Sequence, residues 1–130
     1  MLRSMPIRRL AATVLLAFAV APAMAETPST STGRVSVAQV MDALDRAGSD
    51  DKAAQLLTAY LAGLGESAGI LLSATNAEGK PYVTCERPVA LDDKLVRAVL
   101  KKAAPDKAIW TETAATPLIV SALVSRAGCR

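Results

Sequence analysis

The chain has 130 residues, enough for one domain, and it combines 52% hydrophobic residues with a formal net charge of +3. It contains no histidine and only two cysteines, which excludes catalytic triads built on His and leaves too few ligands for a zinc site.

The N-terminal residues have the three parts of an export signal. A basic region comes first, and it contains Arg3, Arg8 and Arg9. The apolar run Leu10 to Val20 follows, and then the small-x-small motif Ala23-Met24-Ala25. Eleven apolar residues are too few to span a bilayer. We therefore predict a signal peptide at residues 1–25, cleavage between Ala25 and Glu26, and export to the periplasm.

Cleavage changes the charge balance. The signal contains three of the 15 Lys and Arg residues and no acidic residue, which leaves 12 basic residues against 12 acidic ones. A neutral mature protein has no general attraction to nucleic acid or to anionic lipid. We therefore expect no nucleic-acid partner, and no membrane association after signal cleavage.

The two cysteines, Cys85 and Cys129, are predicted to form a disulfide. An even number of cysteines in an exported protein is typical of disulfide bonding. In the chain-entropy model, closing a loop of this length stabilises the fold by about 4 kcal/mol.

Residues 26–34 are polar and are predicted to be a flexible lead-in to a helical domain at residues 35–130. The first helix begins after Ser36, which has the capping-box spacing with Gln39. Gly48 is a plausible end for this helix. Its apolar stripe consists of Val37, Val40, Met41 and Leu44.

The stretch Ala53 to Thr75 is predicted to be a long helix with one broad apolar face. Its other side is formed by small residues instead of charged ones: Ala59, Ala62, Gly63, Gly69 and Ser73. Glycine inside a helix is unfavourable by about 1 kcal/mol relative to Ala. The glycines therefore suggest that another backbone lies close. We expect this to be the fourth helix, with a second copy, and thus a homodimer, as the alternative.

Two further helices are predicted. One covers Asp92 to Ala103 and the other Ala114 to Ala127, with Pro117 in its first turn and Gly128 after its end. No segment alternates as a strand does. The predicted fold is all-α, a small four- to five-helix bundle around the long central helix.

The sequence does not support an enzyme. Its adjacent acidic residues, such as Asp50/Asp51 and Asp92/Asp93, occur where helices begin and are interpreted as caps. No phosphate-binding glycine loop is present. We expect no catalytic residue, cofactor or metal. The candidates for binding a protein partner lie instead in the two long connectors, and they are Asn76, Glu78, Lys80, Tyr82, Lys107, Trp110 and Glu112. For Trp110, a core position and an interface position both remain open.

Several short motifs occur in order between Gln55 and Cys129: Tyr60-Leu61-x-Gly63, Cys85 with Pro88, Leu95-Val96, Pro105, Leu118-Ile119-Val120-x-Ala122-Leu123 and the C-terminal Cys129. Together they resemble the Rap/Tai family of type VI secretion immunity proteins. The resemblance implies a helical, disulfide-bonded periplasmic protein whose partner is a secreted peptidoglycan amidase. Such a protein binds the toxin and occludes its catalytic cleft.

A different function remains as the alternative. Small two-cysteine helical proteins of the periplasm also include acid-stress chaperones, which expose apolar surface at low pH. Because the chain has no His, such a switch would depend on carboxylates that titrate near pH 4. A small hydrolase is the least favoured of the three interpretations.

Overall fold

The computed structural model describes residues 26–130, so the predicted signal peptide and its cleavage site lie outside or at the edge of the described residues. These residues form four α-helices: α1 (Val37–Arg46), α2 (Asp51–Leu72), α3 (Asp93–Ala103) and α4 (Ala115–Ala127). A short 3-10 helix, Lys107–Ile109, precedes α4. No named strand occurs between residues 26 and 130. The all-α prediction is confirmed.

Local signals place the helix starts. Ser36 accepts a hydrogen bond from the amide of Gln39 at 3.1 Å, and its own amide donates to the Gln39 side chain at 3.0 Å. Asp50 and Asp92 cap α2 and α3 in the same way, through side-chain oxygens that accept from amides of the first turn. At the other end of α4, Gly128 adopts a left-handed conformation with φ of 65°, which is favourable for glycine.

The core lies where α1, the first half of α2, α3 and the start of α4 meet. Its fully buried residues include Val37, Val96, Leu100 and Ile119. α1 packs on α2 and on α3, and α4 packs mainly on α3. The hydroxyls of Tyr60 and Thr116, 2.9 Å apart, link α2 to α4.

Two expectations about the helices are wrong. Nothing lies within 4 Å of a Cβ built on Gly63, Gly65 or Gly69, so no backbone approaches these glycines in the described chain, and α4 is not packed against the small-residue face. α2 is therefore exposed along much of its length, where we expected it to be central. α4 is itself only partly enclosed, because Leu118 and Leu123 are half-buried.

The lead-in at residues 26–34 is attached to the domain. Thr30 is buried, and its carbonyl and hydroxyl hold a turn by accepting from the amides of Gly33 and Arg34. The Ser36 hydroxyl also donates to the carbonyl of Pro28 at 2.8 Å. These bonds fix the chain beside the start of α1 from Pro28 onward.

Candidate partner-binding site

The connector after α2 begins with a tight, hydrogen-bonded turn. The side-chain oxygen of Asn76 accepts from the amides of Glu78 and Lys80 at 3.0 and 2.9 Å. The amide of Asn76 donates back to the carbonyl of Lys80 at 2.8 Å. Gly79 has a φ of 78°, a backbone conformation that is unfavourable for residues with a side chain. The turn therefore holds one backbone shape without help from a partner.

Exposed side chains surround this turn. Glu78 and Lys80 form an ion pair at 3.3 Å, and both are largely exposed. Tyr82 is 69% exposed, and its amide donates to the carbonyl of Ala74 at 3.1 Å. That bond folds the connector back onto the end of α2 and brings Tyr82 beside it.

The end of α2 adds two residues that the sequence did not single out as partner-binding. Ile70 and Leu71 are 71% and 72% exposed. We name the tip surface as Ile70, Leu71, Glu78, Lys80 and Tyr82. Large apolar and aromatic side chains are typical of the centre of a protein interface, and charged side chains such as those of Glu78 and Lys80 are typical of its rim. The absence of charged residues from 67 to 77 is the sequence signal that could have revealed this surface.

The rest of this connector is fastened to the end of α4. The disulfide between Cys85 and Cys129 is present, as predicted. Thr84 and Arg130 exchange two main-chain hydrogen bonds, and the amides of Glu86 and Arg87 both donate to the carbonyl of Ala127. The disulfide is therefore one of several attachments at this point.

The candidates in the second connector have partners within the domain. The indole nitrogen of Trp110 donates to the carbonyl of Ala104 at 2.8 Å, and its ring is half-buried against the core. The ammonium of Lys107 lies 5.6 Å from the centre of that ring, in cation–π range. The Trp110 carbonyl accepts from the amide of Ala38 at 3.2 Å, so Trp110 also helps to hold the start of α1.

Glu112 is likewise engaged. Its carboxylate accepts from the amide of Ser31 at 3.1 Å, and hydrogen bonds from Ser31 lower the pKa of Glu112. Three of the seven predicted partner residues, Lys107, Trp110 and Glu112, therefore contact other parts of the same chain. These contacts make the second connector a structural element of the domain.

The two connectors do not form one cluster. The first meets the C-terminal end of α4, and the second leads into its N-terminal end. α4 has 13 residues, so the connectors are separated by about 20 Å at a rise of about 1.5 Å per residue. The structure brings Asn76, Glu78, Lys80 and Tyr82 together and leaves the other three residues at the opposite end.

The described residues give little support to a metal site or to a membrane-spanning helix. Across residues 26–130, no group of three or more His, Cys, Asp or Glu side chains is placed to hold a metal ion. By length and composition, α2 could cross a membrane, and only 11% of its apolar window is buried. Its first half nevertheless supplies Ala53, Leu57 and Leu61 to the buried residues of the domain.

Comparison with known proteins gives no assignment: no family model, curated protein or solved structure matches this chain.

Proposed function

We propose that this protein is a periplasmic immunity protein that binds a secreted peptidoglycan amidase of the type VI secretion system and occludes its active site. The observation that supports it is the tip surface, where Tyr82, Ile70 and Leu71 are exposed beside a turn that Asn76 holds in one shape. The similarity of its motifs to the Rap/Tai family supplies the class of target.

The ordered turn at Asn76 lowers the entropy cost of binding. A loop that is already ordered loses less conformational freedom when it enters a cleft, so more of its contact energy contributes to affinity. An exposed aromatic side chain such as Tyr82 is the type of residue that contributes most to an interface. The Glu78–Lys80 pair adds charges that would select an orientation in the cleft.

The decisive experiment uses this protein to capture an amidase from an extract that contains secreted effectors, and then measures the activity of that amidase with and without this protein. We expect the wild-type protein to bind the amidase and to suppress peptidoglycan cleavage. Tyr82→Ala should weaken binding by about 30-fold, which corresponds to about 2 kcal/mol for an interface hot spot.

The second connector offers a matched control. Ile109 is 49% exposed and lies at the opposite end of α4 from Tyr82, so Ile109→Ala should leave inhibition unchanged. The proposal is contradicted if the amidase binds without loss of activity, or if it does not bind at all. Equal losses of amidase binding for Tyr82→Ala and Ile109→Ala would show that the tip surface is not the binding site.

The exposed apolar surface of α2 also favours the second function, an acid-stress chaperone. An apolar surface of this kind can bind the apolar segments of unfolded clients. Under this alternative the protein suppresses aggregation of unrelated proteins at about pH 2 to 3, where carboxylates are protonated, but not at pH 7. Equal aggregation with and without the protein at low pH would reject it.

A further inference from the structure

The basic residues of the domain are distributed unevenly along the chain. Residues 94–102 contain four of the 12 basic residues between 26 and 130 and none of the 12 acidic ones. All four lie on α3: Lys94, Arg97, Lys101 and Lys102. At about 100° per residue they share one side of the helix, opposite the side that carries its buried core residues. We call these four residues the basic face.

Most of this positive charge is not neutralised within the described chain. The three lysines of the basic face are exposed and form no ion pair among residues 26–130. Arg97 is half-buried and pairs with Asp45 of α1. Of the acidic residues that flank the face in sequence, Asp92 and Asp106 accept hydrogen bonds from main-chain amides, and Asp93 is exposed in the first turn of α3. The basic face is therefore a positive surface of the folded domain.

The stability of α3 does not account for this arrangement. Lys101 and Lys102 are in the last turn, where the helix dipole favours cations, but Lys94 is in the first turn, where it disfavours them. Lys94 is three residues from Arg97, and Arg97 is four residues from Lys101. Like charges at these spacings destabilise a helix. A local preference that is broken in this way indicates a use outside the domain.

The composition of the basic face favours a surface of diffuse negative charge as its partner. A protein interface is centred on large apolar or aromatic side chains, and none of those exposed among residues 26–130 lies on α3. Stacking on nucleobases requires aromatic rings, which α3 lacks. Arginine forks recognise one carboxylate or phosphate in a fixed geometry, whereas lysine ammonium groups are point charges on flexible stems. Three free lysines therefore suit anionic lipid headgroups, which move freely in the plane of a bilayer.

We propose that the basic face of α3 is a surface that binds anionic lipid bilayers. From Lys94 to Lys102 the helix rises about 12 Å, which is close to the Debye length of about 10 Å at about 0.1 M salt. The charges of the face therefore act together on one patch of lipid. A lysine close to an anionic bilayer strengthens binding by about fivefold, so three free lysines give about 100-fold.

The attraction comes from the distribution of charge and not from its sum. Residues 26–130 contain equal numbers of basic and acidic residues, so net charge alone predicts no attraction to anionic lipid. A bilayer within a Debye length of α3 meets the basic face and not the acidic residues elsewhere on the domain. Such binding is reversible, and it does not depend on the proposed inhibitory function.

Flotation of the exported protein with lipid vesicles tests the proposal. Vesicles of phosphatidylcholine mixed equally with phosphatidylglycerol should carry the protein at about 0.1 M salt, and vesicles of phosphatidylcholine alone should not. At about 1 M salt, where the Debye length is about 3 Å, the protein should be released. Binding that persists at the higher salt, equal binding to both kinds of vesicle, or no binding to either would overturn the proposal.

Ala98→Glu neutralises part of the basic face and leaves the helix intact. Ala98 is exposed and lies four residues from both Lys94 and Lys102. A glutamate four residues before a lysine stabilises a helix, so the variant should melt no lower than the wild type. Its binding to the mixed vesicles should fall by at least about fivefold.

Ala59→Glu is the matched control, because it makes the same change of charge at an exposed alanine of α2. Leu61, which lines the cleft beside Lys94, is two residues later, so Ala59 lies on the other side of α2. Ala59→Glu should leave vesicle binding unchanged. Equal losses for Ala59→Glu and Ala98→Glu would show that net charge controls binding and would overturn the proposal.

Replacement of all three free lysines should have the largest effect on binding. The triple variant Lys94→Gln, Lys101→Gln, Lys102→Gln should float with the mixed vesicles no better than with phosphatidylcholine alone. Circular dichroism establishes that its helices are retained. Purified peptidoglycan, whose carboxylates are fixed to a polymer, gives the remaining outcome. A wild-type protein that sediments with peptidoglycan and does not float with the mixed vesicles would assign the basic face to the cell wall and overturn lipid binding.

Discussion

The two halves of α2 are similar in sequence and different in burial. Residues 51–61 contain three buried side chains, Ala53, Leu57 and Leu61, whereas residues 62–72 contain none. Both halves are rich in Ala and Leu, and the glycines of the helix, Gly63, Gly65 and Gly69, lie in the second half. The difference arises because α1 has ten residues and α2 has 22, so α1 covers about 15 Å of a helix that is about 33 Å long.

Apolar composition therefore does not determine which part of α2 is buried. A helix buries an apolar face only where another element is available to pack against it. In the second half of α2, the same kind of residue remains on the surface and becomes available for binding. The tip surface belongs to this half and to the connector that follows it.

Removal of the disulfide should have the largest effect. It fastens the connector that follows the exposed half of α2 to the end of α4. The Cys85→Ser, Cys129→Ser double variant should lose about 4 kcal/mol of unfolding free energy in the chain-entropy model. Urea unfolding measures the loss, and reduced wild-type protein is the control. An unchanged transition midpoint would contradict a structural role for the disulfide.

Truncation of one leucine in each half tests the comparison directly. Leu57 is 4% exposed and Leu71 is 72% exposed. Leu57→Ala should cost about 3 kcal/mol, through lost burial and the cavity left behind. Leu71→Ala should change stability by no more than about 0.5 kcal/mol, as is usual for surface sites. Urea unfolding of both variants gives the two values, and equal losses would show that the second half is buried in solution.

The smallest effect concerns pH at the start of α2. A hydrogen bond from Arg46, together with amides of the first turn, lowers the pKa of Asp50. A lowered folded-state pKa stabilises the fold while the carboxyl is ionised, and this contribution is lost as the pH falls through that pKa. Asp50→Asn retains the capping oxygen but not the charge. Asp50→Asn should therefore have a lower melting temperature than the wild type at about pH 6 and the same melting temperature at about pH 2.

Glu66→Gln is the control for this titration. It removes one carboxylate from the exposed half of α2, where no ion pair to Glu66 occurs among the described residues. Its melting temperature should follow that of the wild type at both pH values. A deficit for Asp50→Asn that persists at low pH would contradict the electrostatic explanation.

The helices and the disulfide could be predicted from the sequence, because local interactions specify where a helix begins and ends, and two cysteines allow only one intramolecular pair. A capping box such as Ser36 with Gln39 acts within one turn of helix, so it can be recognised in the sequence without knowledge of the fold. The same holds for Asp92 before α3 and Gly128 after α4. The pairing of Cys85 with Cys129 could be predicted because the chain contains only these two cysteines.

Which surfaces remain exposed depends on the tertiary structure and could not be predicted from the sequence. Periodicity showed that α2 has an apolar face and a small-residue face, but not how far α1 would extend along it. It could not show that Trp110 packs on the core and donates to Ala104, since that contact requires the chain to turn back between α3 and α4. The exposure of Gly63 and Ile70 likewise depends on the absence of a neighbouring element in the described chain, which spacing along one helix does not encode.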